Sequence, residues 1–117
     1  MIAFDASLQV FVSLEPIDFR KGMNGLLALI VGTFVQPAQG PHMFLFRDRT
    51  GRKIKALYWD SNGFMLLYKC LSVGKFQFPK LKNGSMQLDR LQFECLLSGM
   101  QFMKNNAINN DKYSLFN

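Results

Sequence analysis

The sequence predicts an α+β fold: an N-terminal strand and helix, a four-stranded antiparallel β-meander and a C-terminal helix. Two observations lead to this prediction. Apolar residues recur at helical spacing in two separate segments, and between them short β-rich runs alternate with turn-forming residues. The chain has 117 residues, of which 49% are apolar and 14% aromatic, enough for one domain with its own packed core.

The N-terminal part is expected to form a strand followed by a helix. Residues 8–14 are rich in β-forming side chains and end before Pro16. Asp18 is expected to cap a helix whose apolar positions recur from residue 19 until the chain nears Pro37. Three glycines lie in this segment, so either they allow close backbone packing or the helix is shorter than the pattern suggests.

The middle of the chain is predicted to form a β-meander of four consecutive strands. Strands are expected at residues 43–47, 53–59, 64–71 and 75–78, because turn-forming residues separate these β-rich runs. Alternation places Lys53, Lys55, Leu57 and Trp59 on one face of the second of these strands. The third, 64–71, is apolar on both faces, which predicts a central strand covered by the first helix and by either the C-terminal helix or a second protein chain.

A second helix that covers the core is expected to begin near Gln87, with Leu88, Leu91 and Cys95 on its apolar face. The single domain is expected to span residues 1–103, followed by a polar, flexible tail at 104–117. The two cysteines, Cys70 and Cys95, are expected to be buried free thiols.

Positive charge is concentrated in one part of the sequence. The net charge is +6, but residues 47–82 alone carry nine basic and two acidic residues, interleaved with aromatic residues. This composition is typical of a surface that binds phosphate and stacks on bases, although cations on the outer face of a small sheet also serve solubility. The candidate nucleic-acid-binding residues are Arg47, Arg49, Arg52, Lys53, Lys55, Trp59, Tyr68, Lys69 and Lys75.

Two of these expectations have alternatives. Trp59 lies at a strand end, where a tryptophan is often a core residue rather than a stacking platform. Arg20 and Lys21 fall in the first turn of the expected helix, where a cation is unfavourable for the helix dipole. Either a partner, such as DNA, or Asp18 would then compensate them.

No catalytic centre is predicted. The eight carboxylates are scattered singly, His42 has no nucleophile motif near it, and phosphate-binding glycine loops are absent from the sequence. Neither a metal nor another cofactor is therefore expected. No apolar run is long enough to span a bilayer and no secretory signal is apparent, which leads us to expect a cytoplasmic protein.

Two sequence blocks resemble a known family. The blocks Asp18-Phe19-Arg20-Lys21-Gly22 and Leu57-Tyr58-Trp59-Asp60, with weaker matches that extend over about 90 residues, are similar to the second-open-reading-frame (TnpB-type) accessory protein of bacterial insertion sequences of the IS66 type. The resemblance implies a non-catalytic helper in DNA transposition, encoded beside a larger transposase subunit. It brings no established catalytic residues.

Three functional hypotheses follow. The first is an accessory protein that binds nucleic acid through the basic and aromatic hairpins while apolar surfaces contact the transposase or a second copy. The second is an adaptor that docks on the transposase without touching DNA, and the third is an independent metal-dependent nuclease. DNA against RNA, sequence preference and homodimerisation stay open at this level.

Overall fold

A computed structural model of the chain describes residues 5–13, 15–78 and 86–99. Within these ranges it contains a sheet of five strands with one helix on each face. The elements in chain order are β1 (Gln9–Val12), α1 (Met23–Thr33), β2 (His42–Arg47), β3 (Lys53–Trp59), β4 (Phe64–Cys70), β5 (Gln87–Asp89) and α2 (Arg90–Leu97). The predicted α+β class is thus confirmed.

The strands lie in the order β4-β3-β2-β1-β5. The central strand β2 pairs antiparallel with β3 and parallel with β1, which in turn pairs antiparallel with β5. The parallel β1–β2 pair requires a crossover, and α1 supplies it. This arrangement leaves β4 and β5 as the two edges of the sheet.

Side chains of the sheet build a core on each face. On one face, Val10, Leu45 and Ala56 pack with Phe93 and Leu96 of α2. On the other, a second set packs beneath α1, and it consists of Leu26, Ile30, Phe44, Phe46 and Leu57. The predicted alternation along β3 is confirmed, because Ile54 and Ala56 belong to the first core and Leu57 to the second.

Three of the four predicted meander strands exist, but the sheet is wider than a meander. Residues 75–78 form no strand, because Phe76 turns inward and its amide bonds to the carbonyl of Gly51 instead of a neighbouring strand. β1, predicted only as an N-terminal strand, joins the same sheet beside β2. β4 lies at an edge, so its interpretation as a central strand is wrong.

Both helices differ from their predicted bounds. α1 begins at Met23 with Gly22 as its N-cap, so the shorter of the two alternatives holds and Asp18 does not cap it. α2 begins at Arg90 because Asp89 caps it, and Gln87 to Asp89 pair with β1 instead.

The buried face of α2 also differs from the prediction. It carries Phe93 and Leu96, while Leu91 is 65% exposed. α2 does cover the core as expected. The spacing of Leu88, Leu91 and Cys95 misled the prediction because Leu88 belongs to a strand. The predicted tail, 104–117, and the end of the predicted domain lie outside the described residues.

Both cysteines are free thiols, as predicted. Cys95 is partly buried, and its burial raises the pKa of the thiol. Cys70 is exposed at the end of β4, which contradicts the expected burial.

Candidate nucleic-acid interface

The turn between β2 and β3 is organised by one carboxylate. Oδ1 of Asp48 accepts hydrogen bonds from the amides of Gly51 (3.0 Å) and Lys53 (3.2 Å), and Oδ2 accepts one from the Thr50 hydroxyl (2.7 Å). Gly51 has φ of +77°, a conformation that glycine adopts without strain. Asp48 is only 9% exposed, so this acidic group is turned inward while Arg49 stays on the surface.

Asp48 is ionised, and a carboxylate accepts these turn hydrogen bonds with both of its oxygens. Burial raises the pKa of the carboxyl, but the hydrogen bonds from Thr50, Lys53 and Gly51 outweigh it and hold the pKa below its ordinary value. The turn is therefore fixed by a carboxylate that remains charged at neutral pH.

A second loop packs against this turn. The amide of Leu71 donates to the carbonyl of Arg52 (2.8 Å), and Nη2 of Arg52 donates to the carbonyls of Leu71 (3.0 Å) and Ser72 (3.1 Å). The amide of Phe76 donates to the carbonyl of Gly51 (2.9 Å), with the Phe76 ring buried. These contacts join the two loops into one surface.

Four of the predicted cations lie on or beside these two loops. Arg49 and Arg52 come from the turn, Lys53 is the first residue of β3, and the side chain of Lys75 lies against Gly51. We call Arg49, Arg52, Lys53 and Lys75 the basic end of the sheet. Within the described parts of the chain, ion pairs join Arg20 to Asp18 and Arg90 to Glu94, and neither includes a member of the basic end. Arg47, at the end of β2, lies near the same surface with its guanidinium 5.7 Å from the centre of the Phe78 ring.

Lys55 occupies a different environment. It is 6% exposed, and its ammonium donates to the carbonyls of Phe19 (2.9 Å) and Lys21 (2.8 Å). The ammonium also lies 5.0 Å from the ring centre of Phe19 and 5.4 Å from that of Tyr68. Because these groups enclose the charge, Lys55 cannot reach a phosphate in this arrangement, and it does not belong to the interface.

Lys55 instead anchors the segment that carries Arg20 and Lys21. Arg20 forms a 2.6 Å ion pair with Asp18, whose pKa falls to about 2 because of hydrogen bonds from the Arg20 side chain and amide. Because α1 begins at Met23, Arg20 and Lys21 precede its first turn, so their predicted place in that turn is wrong. Asp18 pairs with Arg20 outside the helix. Both cations are exposed, and the Lys55 ammonium holds the backbone of their segment against the sheet.

The predicted aromatic residues lie apart from one another. Tyr68 is 54% exposed and packs edge-on against Phe19, at a centroid distance of 5.8 Å. It therefore offers part of one ring face beside the Arg20 and Lys21 segment. Trp59 is half-buried against Phe64 at the far end of β3, about 20 Å from the basic end.

Lys69 is also separated from the basic end. It points to the face of the sheet that α2 covers, and its ammonium donates to the carbonyl of Leu97 at the C-terminus of that helix. A cation there is favourable for the helix dipole. Lys69 is thus better placed to dock α2 than to contact phosphate.

Sequence reasoning missed two structural roles at this site. The spacing of Asp48, Thr50 and Gly51 is a turn signal that could have identified Asp48 as the organiser. Nothing in the sequence links Lys55 to the carbonyls of residues 19 and 21, because that contact spans more than thirty positions.

The described residues offer little support for other kinds of site. They contain no group of three or more His, Cys, Asp or Glu that could hold a metal ion. Neither helix in this part of the chain has the length and apolar character needed to cross a membrane. His42 packs edge-on against Phe11 and Phe44, and its Nε2 lies 2.7 Å from the carbonyl oxygen of Pro37.

Comparison with known proteins identifies the family. The family model described as IS66 Orf2 like protein matches residues 8–107. The uncharacterized protein y4jC of Sinorhizobium fredii (strain NBRC 101917 / NGR234) is 34% identical over 104 residues, which are 89% of this chain and 89% of the relative. The uncharacterized protein y4hO of the same strain is 27% identical over 103 residues, 87% of this chain and 89% of the relative. No solved structure matches the chain significantly. The resemblance carried by the two sequence blocks is therefore confirmed, and the chain belongs to the IS66 Orf2-like family.

Proposed function

We propose that this protein is a non-catalytic accessory protein of insertion-sequence transposition that binds DNA through the basic end of its sheet. Family membership supports the role in transposition. The observation that carries DNA binding is the presence of Arg49, Arg52, Lys53 and Lys75 on or beside two loops that hydrogen bonds hold together.

The electrostatics of the basic end favour a polyanion. Asp48, the carboxylate nearest these cations in the sequence, is hydrogen-bonded to turn amides and a hydroxyl and forms no ion pair with them among the described residues. Lys21, in the segment beside the partly exposed Tyr68, adds one cation on the face that α1 covers, whereas Arg20 is paired with Asp18. Contacts of this kind position a duplex through its phosphates and carry little sequence information. Such a role places the protein in the cytoplasm with the element's DNA.

Salt dependence of binding tests this proposal. Anisotropy of a labelled terminal-repeat duplex and of a scrambled duplex is measured between about 50 and 200 mM salt, where each phosphate contact contributes about 0.9 to the slope of log affinity against log salt. Four contacts predict a slope of about −3.6. The Arg49/Arg52/Lys53→Ala variant is expected to lose most of the affinity and to reduce the slope by about two to three.

Arg90→Gln is the matched control, because it also removes a cation but lies beside β5 at the other edge of the sheet. It is expected to keep the wild-type slope. No binding to either duplex at low salt would contradict DNA binding, and equal losses in both variants would contradict the assignment to the basic end. A gel assay with magnesium or manganese checks the non-catalytic part, which cleavage by the purified chain would overturn.

A second candidate function is the adaptor that docks on the transposase without contacting DNA. An apolar groove of about 660 Å³ favours it. The groove is lined by Phe11, Ile17, Leu29 and Phe34, and Val35 on its rim is 94% exposed. Binding through this groove would persist or strengthen at high salt, which separates it from phosphate binding.

A further inference from the structure

The strand β4 leaves one edge of the sheet open in the described part of the chain. Its seven residues pair with β3 on one side, and no other described strand pairs with its outer side. An unpaired edge strand is a template for another strand, and proteins usually protect such edges with proline, bulges or exposed charges. β4 has no proline, and Lys69, its single charged residue, is directed to the carbonyl of Leu97.

The alternation of hydrogen-bonded and non-hydrogen-bonded pairs between β3 and β4 shows which backbone groups of β4 face the open edge. The amide of Leu71 bonds to the carbonyl of Arg52, and the amide of Asp60 bonds to the carbonyl of Gly63. Both pairs continue the β3–β4 register, in which bonded and non-bonded pairs alternate. The amides and carbonyls that point outward therefore belong to Phe64, Leu66, Tyr68 and Cys70.

We propose that β4 pairs antiparallel with β4 of a second copy, so that two sheets join across a two-fold axis at Leu67. In this register all seven residues of β4 in one copy face β4 of the other copy. It places Leu66 opposite Tyr68 and Phe64 opposite Cys70, and these are the residues with outward backbone groups. Leu67 faces its own equivalent as a non-hydrogen-bonded pair.

Charge complementarity selects this orientation. A parallel in-register pair would place Lys69 opposite Lys69, whereas the antiparallel register places it opposite Met65. Asp60, which is exposed just before β4, then approaches the turn that begins at Ser72 in the other copy. The guanidinium of Arg52 is held at that turn. The Asp60 carboxylate of one copy thus approaches the basic end of the sheet in the other copy.

The joined sheet would contain ten of the described strands, five from each copy, and would carry a basic end on each side of the axis. Self-association does not depend on DNA binding, because the outward backbone groups of β4 need no nucleic acid. The two proposals can therefore fail separately.

Site-specific cross-linking of the full chain tests the register without DNA. In a background in which both native cysteines are replaced (Cys70→Ser and Cys95→Ser), Leu67→Cys places two thiols on the axis, with Cα atoms about 4.5 Å apart, within the range of a disulfide. The matched control Met65→Cys lies on the same face, but its thiols would be about four residues, roughly 14 Å, apart. Leu67→Cys is expected to form the oxidised dimer at least about tenfold faster than Met65→Cys, given this difference in distance.

Sedimentation velocity of the wild-type chain at about physiological salt is expected to show a monomer–dimer equilibrium. Cys70→Pro removes an outward amide at the strand end and is expected to abolish the dimer, while Cys70→Ala keeps the amide and the dimer. Circular dichroism confirms that both variants are folded. A wild-type chain that stays monomeric at high micromolar concentration, or equal cross-linking of the two cysteine variants, would overturn the proposal.

Discussion

Replacing Lys55 by Met tests whether this lysine is a structural anchor. Methionine keeps most of the apolar stem and removes only the ammonium. The ammonium donates to the carbonyls of Phe19 and Lys21 at 2.9 and 2.8 Å. Two such charge-assisted bonds contribute about 3–6 kcal/mol together. Contacts with the Phe19 and Tyr68 rings add about 1 kcal/mol. Desolvation of the buried ammonium costs several kcal/mol and so cancels part of this stabilisation.

The expected net loss in the free energy of unfolding is about 2–3 kcal/mol once desolvation is included. Urea denaturation followed by the fluorescence of Trp59, the single tryptophan, measures it. Lys53→Met is the matched control, because Lys53 lies two residues away on the same face and is half-exposed. Its expected effect on stability is below about 0.5 kcal/mol.

The same two variants are expected to behave in the opposite way toward DNA. Lys53→Met should reduce the salt slope of binding by about one, since one phosphate contact is lost. Lys55→Met should keep the slope, because its ammonium lies against carbonyls and rings. Equal stability of the two variants, or a slope reduced by Lys55→Met, would refute the reasoning.

Four further substitutions, at three positions, test the fold and the presentation of the basic end. Asp48→Ala leaves the amides of the turn without their acceptor and is expected to cost about 1–3 kcal/mol. Because the pKa of Asp48 is lowered in the folded state, its contribution is full above its ordinary pKa of 3.8 and is lost as the pH falls through the lowered value. Urea titrations between neutral pH and about pH 3 should therefore show a smaller acid dependence in Asp48→Asn than in the wild type. Asp89→Ala removes the α2 cap, whose carboxylate accepts the Gln92 amide at 2.7 Å, and should cost about 1 kcal/mol by urea titration. Phe93→Ala empties a fully buried position under α2 and should lower stability by about 3–5 kcal/mol, which thermal unfolding would detect; a loss below about 1 kcal/mol would contradict the described packing.

The local pattern of the sequence was enough to predict the α+β class and four of the five described strands. Alternation along residues 53–59 and the turn residues on both sides predicted β3 with its two faces, because strand period and turn chemistry are local properties. The cluster of cations in residues 47–82 was visible for the same reason. The two specific sequence blocks were enough to identify the family, because each consists of contiguous residues.

Tertiary contacts decided the rest. The position of β4 at an edge, the place of β1 beside β2 and the strand at Gln87–Asp89 depend on pairings between distant segments, which local periodicity does not encode. Lys53 and Lys55 look alike in the sequence and share a face. Only the approach of residues 19–21 to the sheet encloses Lys55 while Lys53 remains at the surface, because burial is a property of the packed chain.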